Sequence, residues 1–553
     1  MISPSGSAAP QNPSFRLAAV IVLALTIVRL VGLRLSTVDL FFDESQYWAW
    51  SRELALGYFS KPPLLAWLIA AAEHVCGPSE ACIRAPAPLM NLATSLLAYA
   101  TGRALYDART GFWAAMLTAF GTGAVFSARI ISTDVPLVLF WALALLAYVR
   151  LRQGAHWRWA VVLGIAVGAG SLAKYAMIYF LPGLVFTALF DKQARMLLGK
   201  SELRLALGLA VIIISPNILW NAANGFLTFR HAGGNVIGER IEPSMMRPLE
   251  FLAAQFAVFG PVVFGVAIAA ASALFRRGRV VCGMAIFSPS PLVGEGRGGG
   301  SRGCGENVPH SPSPTPDPSP RGGGGKRQCR SNRLLPADRV LLGFALPPLV
   351  AVTVTASVVH AYANWAAAAF IPLAVLAAAV LVRRNSAILL WGSFALGLVT
   401  QIVLIGGDAF ASRIHLPFLS TPNPYYRTLG WNAYARTVGQ LARKLGVATI
   451  ASDIRAEVAS LLYYWRDQPE QILAWPTDDL PAFDLTRALT AAAPQPVLFV
   501  SECPDGHRLE KFYAQVTPLG IFALDDPVPR GFAAFKLEQP RGTIGALAPC
   551  PRP

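Results

Sequence analysis

The stretch FFDESQYWAWSRELALGYFSKPPLLAWL, residues 41–68, follows closely on a long run of apolar side chains. It combines two adjacent carboxylates, Asp43 and Glu44, with Lys61 and a series of aromatic rings. Charged side chains near a membrane cost free energy, and by default they mark a functional site. The stretch therefore predicts a membrane protein whose first loop carries chemistry.

The composition of the whole chain also indicates a membrane protein. Of its 553 residues 54% are hydrophobic and only 14% are charged, with a mean hydropathy of +0.47. A soluble domain carries roughly 25% charged residues. The net charge of +16 does not indicate nucleic-acid binding here, because Lys and Arg in membrane proteins mostly set topology and meet anionic lipid. The seven cysteines lack the CxxC spacing of a zinc module.

Apolar runs of suitable length predict about eleven transmembrane helices. These segments are 16–34, 85–105, 111–129, 134–150, 158–173, 175–190, 204–222, 250–275, 339–358, 365–382 and 387–406. The short run 63–75 is ambiguous, because a span there would move every later loop to the other side. We interpret it as a helix lying in the membrane interface, since the basic residues then gather in cytoplasmic loops.

Two segments fall outside this helical pattern. Residues 286–335 are rich in Gly, Pro, Ser and Arg, which predicts a disordered cytoplasmic insert over 285–336 that carries no chemistry. After about residue 407 the apolar spans stop, and strand-like runs with one helix predict a soluble α/β domain over 407–553. The predicted fold is a polytopic α-helical membrane domain, residues 1–406, followed by this domain on the outer side.

With this topology, the polar side chains that the basic loops do not explain gather on the outer face. Besides the first loop, they include Arg129, Asp134, Lys174, Asn221, His231, His360 and Asn364. Each has a structural alternative: Asp134 before Pro136 as a helix cap, lysines and arginines as interfacial side chains, and single histidines as packed side chains. The adjacent pair Asp43 and Glu44 is harder to explain by structure alone.

These same stretches resemble the GT-C membrane glycosyltransferases, especially the bacterial members similar to protein O-mannosyltransferases and lipid A aminoarabinose transferases. The resemblance continues through STDVPLVLFWALALLAY, SLAKYAMIYFLPGLV, SPNILWNAANGFLTF and NWAAAAFIPLAVL, and covers about residues 15–275 and 337–406. It implies a hexosyl- or pentosyltransferase that moves a sugar from a polyprenyl-phosphate donor to an acceptor hydroxyl on the periplasmic face of the bacterial inner membrane. The long insert departs from the family, which has a short loop there.

The resemblance also implies roles for the candidate residues. Asp43 is the general base for the acceptor hydroxyl. Glu44 is the second catalytic carboxylate of the pair, and Asp134 is the third, which orients the acceptor or a cation. Lys61, Arg84 and Lys174 neutralise the donor phosphate. The other substrate-binding candidates are Tyr47, Trp48, Arg129, Asn221, His231, His360 and Asn364. A divalent metal is left open, with Asp43 and Asp134 as its ligands if one binds.

The residues leave alternatives in place. A transporter or flippase for lipid-linked sugars is the main one, although such proteins place polar groups near the membrane midplane in broken helices. A non-catalytic scaffold or receptor is another. The acceptor is open between lipid A, a polysaccharide, a protein and another lipid. Cys76 and Cys82, which bracket GPSEA, are spaced to form a disulfide or to remain two unpaired thiols.

Overall fold

The computed structural model describes residues 15–237, 243–275, 334–416, 423–477, 482–524 and 528–550. Nearly all of the predicted insert, residues 286–333, lies outside them. The described chain forms a bundle of helices followed by a small domain with one mixed sheet. The predicted fold class, a polytopic helical membrane protein with a C-terminal α/β domain, is confirmed.

The bundle is built from the helices α1 (Phe15–Leu35), α2 (Phe42–Arg52), α3 (Leu64–Cys76), α4 (Glu80–Arg84), α5 (Pro86–Leu105), α6 (Ala108–Ala119), α7 (Thr122–Ser127), α8 (Asp134–Arg152), α9 (Arg158–Ala173), α10 (Phe180–Phe190), α11 (Lys192–Leu198), α12 (Ser201–Ala223), α13 (Leu227–Ile237), α14 (Met246–Val258), α15 (Pro261–Phe275), α16 (Pro336–Ala356), α17 (Phe370–Arg383) and α18 (Ala387–Ala409). Short 3-10 helices cover Tyr175–Tyr179, Ala363–Ala369 and Ala411–Arg413.

Six helical segments in the described ranges are long and apolar enough to cross a membrane. They are Phe15–Leu35, Asp134–Arg152, Ser201–Ala223, Pro336–Ala356, Ala363–Arg383 and Ala387–Ala409. Every predicted span contains helix, but two are interrupted. One breaks at Gly121, where a Cβ atom would lie 2.6 Å from the ring of Phe370, and the other at Gly260, which has a φ of 84°. The total of eleven spans stays a prediction.

The ambiguous run 63–75 forms helix α3. Its 13 residues are about 20 Å long, which is shorter than the hydrocarbon core of about 30 Å. Cys76 at its end forms a disulfide with Cys82, and the two Cα atoms are 5.8 Å apart. The bridged form of this cysteine pair is therefore the one observed.

The C-terminal domain contains the helices and strands α19 (Trp431–Leu445), β1 (Thr449–Ser452), α20 (Arg455–Tyr464), β2 (Gln471–Ala474), α21 (Asp484–Arg487), β3 (Val497–Ser501), α22 (His507–Glu510), β4 (Tyr513–Leu524) and β5 (Arg530–Pro540). The sheet order is β2-β1-β3-β5-β4, with β2, β1 and β3 parallel and β5 antiparallel to both of its neighbours. Strand β4 was not predicted, because Pro518 and Gly520 interrupt its pattern. It is an edge strand with an irregularity between those two residues, which is where a sheet tolerates proline.

The C-terminal domain and the first loop share one apolar core. The rings of Trp48 and Tyr463 pack edge to face at 5.0 Å, and both side chains are buried. The backbone N–H of Leu40 donates to the hydroxyl of Tyr464 at 2.7 Å, and the Tyr463 hydroxyl donates to the carbonyl of Pro78 at 2.7 Å. The domain is therefore seated directly on the loop that carries the candidate site.

A buried acid in this domain yields a pH-dependent prediction. Burial raises the pKa of the Glu457 carboxyl from 4.5 to about 8, although it bonds the Ser452 hydroxyl at 2.6 Å. Since the folded state holds this proton more tightly than the unfolded state, the stability from this group is complete below pH 4.5 and is lost as the pH rises towards 8.

We expect Glu457→Gln, which removes the ionisation, to gain at least about 3 °C in melting temperature relative to wild type between pH 5 and pH 8. Tryptophan fluorescence of the detergent-solubilised chain measures this, and Glu510→Gln, at an exposed position, is the control. A melting difference that does not change with pH would contradict the prediction.

Candidate active site

The two adjacent carboxylates of the first loop point in different directions. Successive residues of a helix are turned by about 100°, so neighbours in the first turn of α2 cannot face the same side. Glu44 is turned into the protein and is 2% exposed. Asp43 is turned towards the C-terminal domain, its side chain is 34% exposed, and its Oδ1 lies 3.1 Å from Nη2 of Arg455.

Glu44 forms a buried ion pair with Arg84. The Nη2 and Nε atoms of Arg84 lie 2.6 Å and 2.9 Å from the carboxylate, which also accepts the backbone N–H groups of Phe41 and Ile131. Although burial disfavours the charged guanidinium, Glu44 raises the pKa of Arg84. The geometry thus gives both side chains a structural role, in place of the catalytic and phosphate-binding roles expected from the sequence.

Three other predicted residues meet at one point. The ammonium group of Lys174 lies 2.6 Å from Oδ1 of Asp134, and the amide of Asn364 donates to Oδ2 at 2.7 Å. Asp134 begins α8, Lys174 follows α9, and Asn364 precedes α17, so three chain segments come together. Asp134 does not cap its helix, because Thr133 occupies the N-cap position of α8 and Asp134 is the first helical residue.

The charges of Asp134 and Lys174 influence the protonation of Lys61. Burial lowers the pKa of its ammonium group, and so do Lys174 and Arg455, while Asp43 and Asp134 oppose that shift. Lys174 and Arg455 each have a carboxylate at ion-pair distance. Within the described ranges, Lys61 has none. An ammonium group so placed can receive an anion.

Two further candidates border this group. Burial, together with Lys61 and Arg455, lowers the pKa of His231 to about 4, so its ring is neutral at pH 7. That ring packs against Phe59 at 4.9 Å. Burial and the charge of Asp43 raise the pKa of Tyr47, which therefore keeps its proton. We call Asp43, Lys61, Asp134, Lys174, His231, Asn364 and Arg455 the cleft cluster.

The remaining candidates lie outside the cleft cluster. Trp48 is part of the core shared with the C-terminal domain. Asn221 is buried and closes the turn between α12 and α13, since the backbone N–H of Thr228 donates to its Oδ1 at 3.1 Å. Arg129 pairs with Asp408 at 2.5 Å. His360 is exposed and packs edge-on against Tyr362, with the ring centroids 5.3 Å apart.

Sequence reasoning missed one member of the cluster, Arg455. It is the first residue of α20. Besides its ion pair with Asp43, it donates to Oε1 of Gln46 at 2.7 Å and lies over the ring of Phe42 at 5.1 Å. A cation in the first turn of a helix is disfavoured by the helix dipole. This misplaced charge in IRAEVASLLYYWRD was the available signal.

The residues left open as metal ligands do not fit such a site. Asp43 is paired with Arg455 and Asp134 with Lys174, so each already has a cation beside it. No three His, Cys, Asp or Glu side chains come together within the described ranges in a way that could hold a metal ion. The mechanism proposed below therefore uses only side chains of the chain itself.

Comparisons with known proteins agree with this fold. The sequence profile of the family described as dolichyl-phosphate-mannose-protein mannosyltransferase matches residues 60–220. The lipid A galacturonosyltransferase RgtD of Rhizobium johnstonii is 29% identical over 496 residues, covering 87% of this chain and 90% of the relative. The chain therefore resembles the GT-C membrane glycosyltransferases over most of its length. The resemblance predicted from the sequence is confirmed.

Two solved structures share the fold of this chain. The crystal structure of ArnT from Cupriavidus metallidurans in the apo state covers 93% of this chain and 97% of its own, with a TM-score of 0.60 and 17% identity. The structure of the same protein bound to undecaprenyl phosphate matches with a TM-score of 0.58. Lys61, Asp134 and Lys174 lie within the profile match, whereas Asp43 and Arg455 lie outside it.

The different roles of the adjacent carboxylates can be tested through stability. We expect Glu44→Gln to lower the free energy of unfolding by about 3–5 kcal/mol, because it leaves the buried guanidinium of Arg84 without its counter-charge. Thermal unfolding in detergent measures this change. The control is Glu53→Gln, which breaks the more exposed pair with Arg487 and should cost less than about 1 kcal/mol. Equal melting of the two variants would contradict the structural role of Glu44.

Proposed function

We propose that the chain transfers a sugar from a polyprenyl-phosphate donor to an acceptor hydroxyl, on the periplasmic face of the bacterial inner membrane. The observation that carries this proposal is that Lys61 lies within electrostatic reach of two carboxylate–cation pairs and has no carboxylate partner of its own in the described structure. A donor of this class joins an anionic phosphate to a long hydrocarbon tail. It therefore needs cations at the ends of apolar helices, which is what the cleft cluster offers.

The reaction breaks the bond between the anomeric carbon of the sugar and the phosphate oxygen. It forms a bond between that carbon and the acceptor oxygen. The departing phosphate keeps the electron pair and gains negative charge, which the ammonium group of Lys61, assisted by Lys174, stabilises. Asp134 and Asn364 fix the direction of Lys174 through both carboxylate oxygens.

Asp43 takes the proton that the acceptor hydroxyl loses. Its Oδ1 is held by Arg455, whereas Oδ2 receives no hydrogen bond from the residues that the structure describes. Its partial exposure leaves room for an acceptor group to approach. A carboxylate in hydrogen-bond reach of an attacking hydroxyl contributes as a general base. Asp43 therefore takes the role that the resemblance gave it, without Glu44.

The similar proteins suggest which acceptor to test, and the disulfides indicate the side of the membrane on which the site lies. RgtD is a lipid A galacturonosyltransferase, so lipid A is the first acceptor to test and galacturonate the first sugar. The disulfide Cys76–Cys82 lies within the first loop, and the disulfide Cys503–Cys550 lies within the C-terminal domain. Disulfides form in oxidising compartments such as the periplasm, which supports an outward-facing site.

The proposed reaction is tested with purified chain in detergent micelles, using polyprenyl-phosphate galacturonate and lipid A. We expect product from the wild type, and at least about a hundredfold less from Asp43→Asn, because an amide cannot accept the proton. Mass spectrometry of the lipid product measures the turnover. The melting temperature of the variant should stay near that of wild type, since Asp43 is partly exposed.

Micelles have no two sides, so a flippase without transferase chemistry would form no product with any variant. Turnover of Asp43→Asn within about threefold of wild type, a barrier difference of only roughly 0.7 kcal/mol, would move the base elsewhere. If the wild type forms no product with galacturonate and lipid A, other polyprenyl-phosphate sugars and other acceptors are tested in the same assay. Failure with all of them would overturn the proposal.

A further inference from the structure

One arginine of the C-terminal domain reaches into the cleft cluster. Arg455 uses one Nη atom for the carboxylate of Asp43, at 3.1 Å, and the other for the side-chain oxygen of Gln46, at 2.7 Å. Its planar guanidinium lies over the ring of Phe42 at 5.1 Å. These three partners lie within the first turn and a half of α2, so the arginine is held at a fixed place above Asp43.

This arrangement carries costs that stability alone does not explain. Gln46 is 1% exposed, and while its oxygen serves Arg455, its Nε2 atom is buried without a hydrogen-bond partner. A buried polar group left in this state costs about 1–3 kcal/mol. Arg455 itself begins a helix, where the dipole disfavours a cation. Polar groups kept at such a cost in a native structure call for an explanation, and function is one.

A second arginine of the C-terminal domain makes a comparable ion pair with the first loop. Arg487 of the same domain pairs with Glu53, just after the end of α2, and its side chain is as exposed as that of Arg455, at 35%. Apolar packing of Trp48 and Tyr463 also holds the domain in place. Of these two interdomain ion pairs, only Arg455–Asp43 involves residues of the cleft cluster.

We propose that Arg455 is a positioning residue for sugar transfer: it holds the carboxylate of Asp43 in place, so that turnover depends on the docked C-terminal domain. The inference rests on the proposed function. The guanidinium of Arg455 pairs with the carboxylate through one Nη atom while the other donates to the amide oxygen of Gln46, which a point charge cannot do. With Oδ1 held in this way, Oδ2 keeps one direction towards the acceptor, and a base that is held in place needs no reorientation before reaction.

The test compares Arg455→Met with Arg487→Met, two substitutions of equal size and similar exposure. We expect Arg455→Met to lower kcat at least about thirtyfold and to leave the donor KM within about threefold, because it removes positioning and not donor binding. Arg487→Met should stay within about twofold of wild type in both constants. Arg455→Lys should fall between wild type and Arg455→Met, since it keeps the charge but not the fork.

Wild-type kcat in Arg455→Met would overturn the inference. A raised donor KM with unchanged kcat would also overturn it, because Arg455 would then bind the donor itself. If Arg455→Met does not fold, Arg455→Lys decides: kcat equal to wild type overturns the inference, and a reduced kcat at constant KM supports it. Wild type and Asp43→Asn in the same assay test the proposed function separately, since an active wild type with an inactive Asp43→Asn leaves only the role of Arg455 in question.

Discussion

The ion pair between Glu44 and Arg84 is the constraint on which the site depends. Both side chains are 3% exposed, and their polar atoms reach three separate parts of the chain. Glu44 accepts the backbone N–H of Ile131, while Arg84 donates to the carbonyls of Val38 and Asp39. Charges removed from water need this full set of partners, since either one alone would be strongly destabilising. The pair therefore fixes how the first loop, α4 and the segment before α8 meet.

With Glu44 turned inwards, the geometry of α2 turns Asp43 towards the C-terminal domain. That domain is part of the site, because its helix α20 supplies Arg455. The shared aromatic core packs the domain against α2. The bundle supplies the remaining groups from helix ends, where Asp134, Lys174 and Asn364 meet. The cleft cluster thus forms at the junction of two folds, and neither of them holds it alone. This is where a lipid-linked donor and a polar acceptor could both arrive.

Much of this could be predicted from the sequence, and the limits have physical causes. Apolar run length located the helices, and the polar residues at their ends identified Asp43, Lys61, Asp134, Lys174 and Asn364. The family resemblance assigned the base to Asp43, but residue patterns alone could not show that Glu44 is buried in an ion pair, because only the orientation of the helix distinguishes the two neighbours. Trp48 was interpreted as a substrate contact since aromatic belts and interdomain cores use the same residue types.

Long-range pairings escaped the sequence for a different reason. Arg455 meets Asp43 across 412 positions of the chain, and Cys503 pairs with Cys550 without a spacing signal. Strand β4 could not be predicted, because Pro518 and Gly520 are tolerated in an edge strand but not in a central one. Local patterns report local structure, so contacts set by domain docking become visible only in the folded chain.

The most direct measurement is a cryo-EM structure of the purified chain with polyprenyl phosphate bound. The account predicts that a phosphate oxygen lies at hydrogen-bond distance, about 3 Å, from Nζ of Lys61, with Lys174 beside it and the prenyl tail along the apolar helices. Phosphate density at the separate pair of Arg129 and Asp408, away from Lys61, would contradict it.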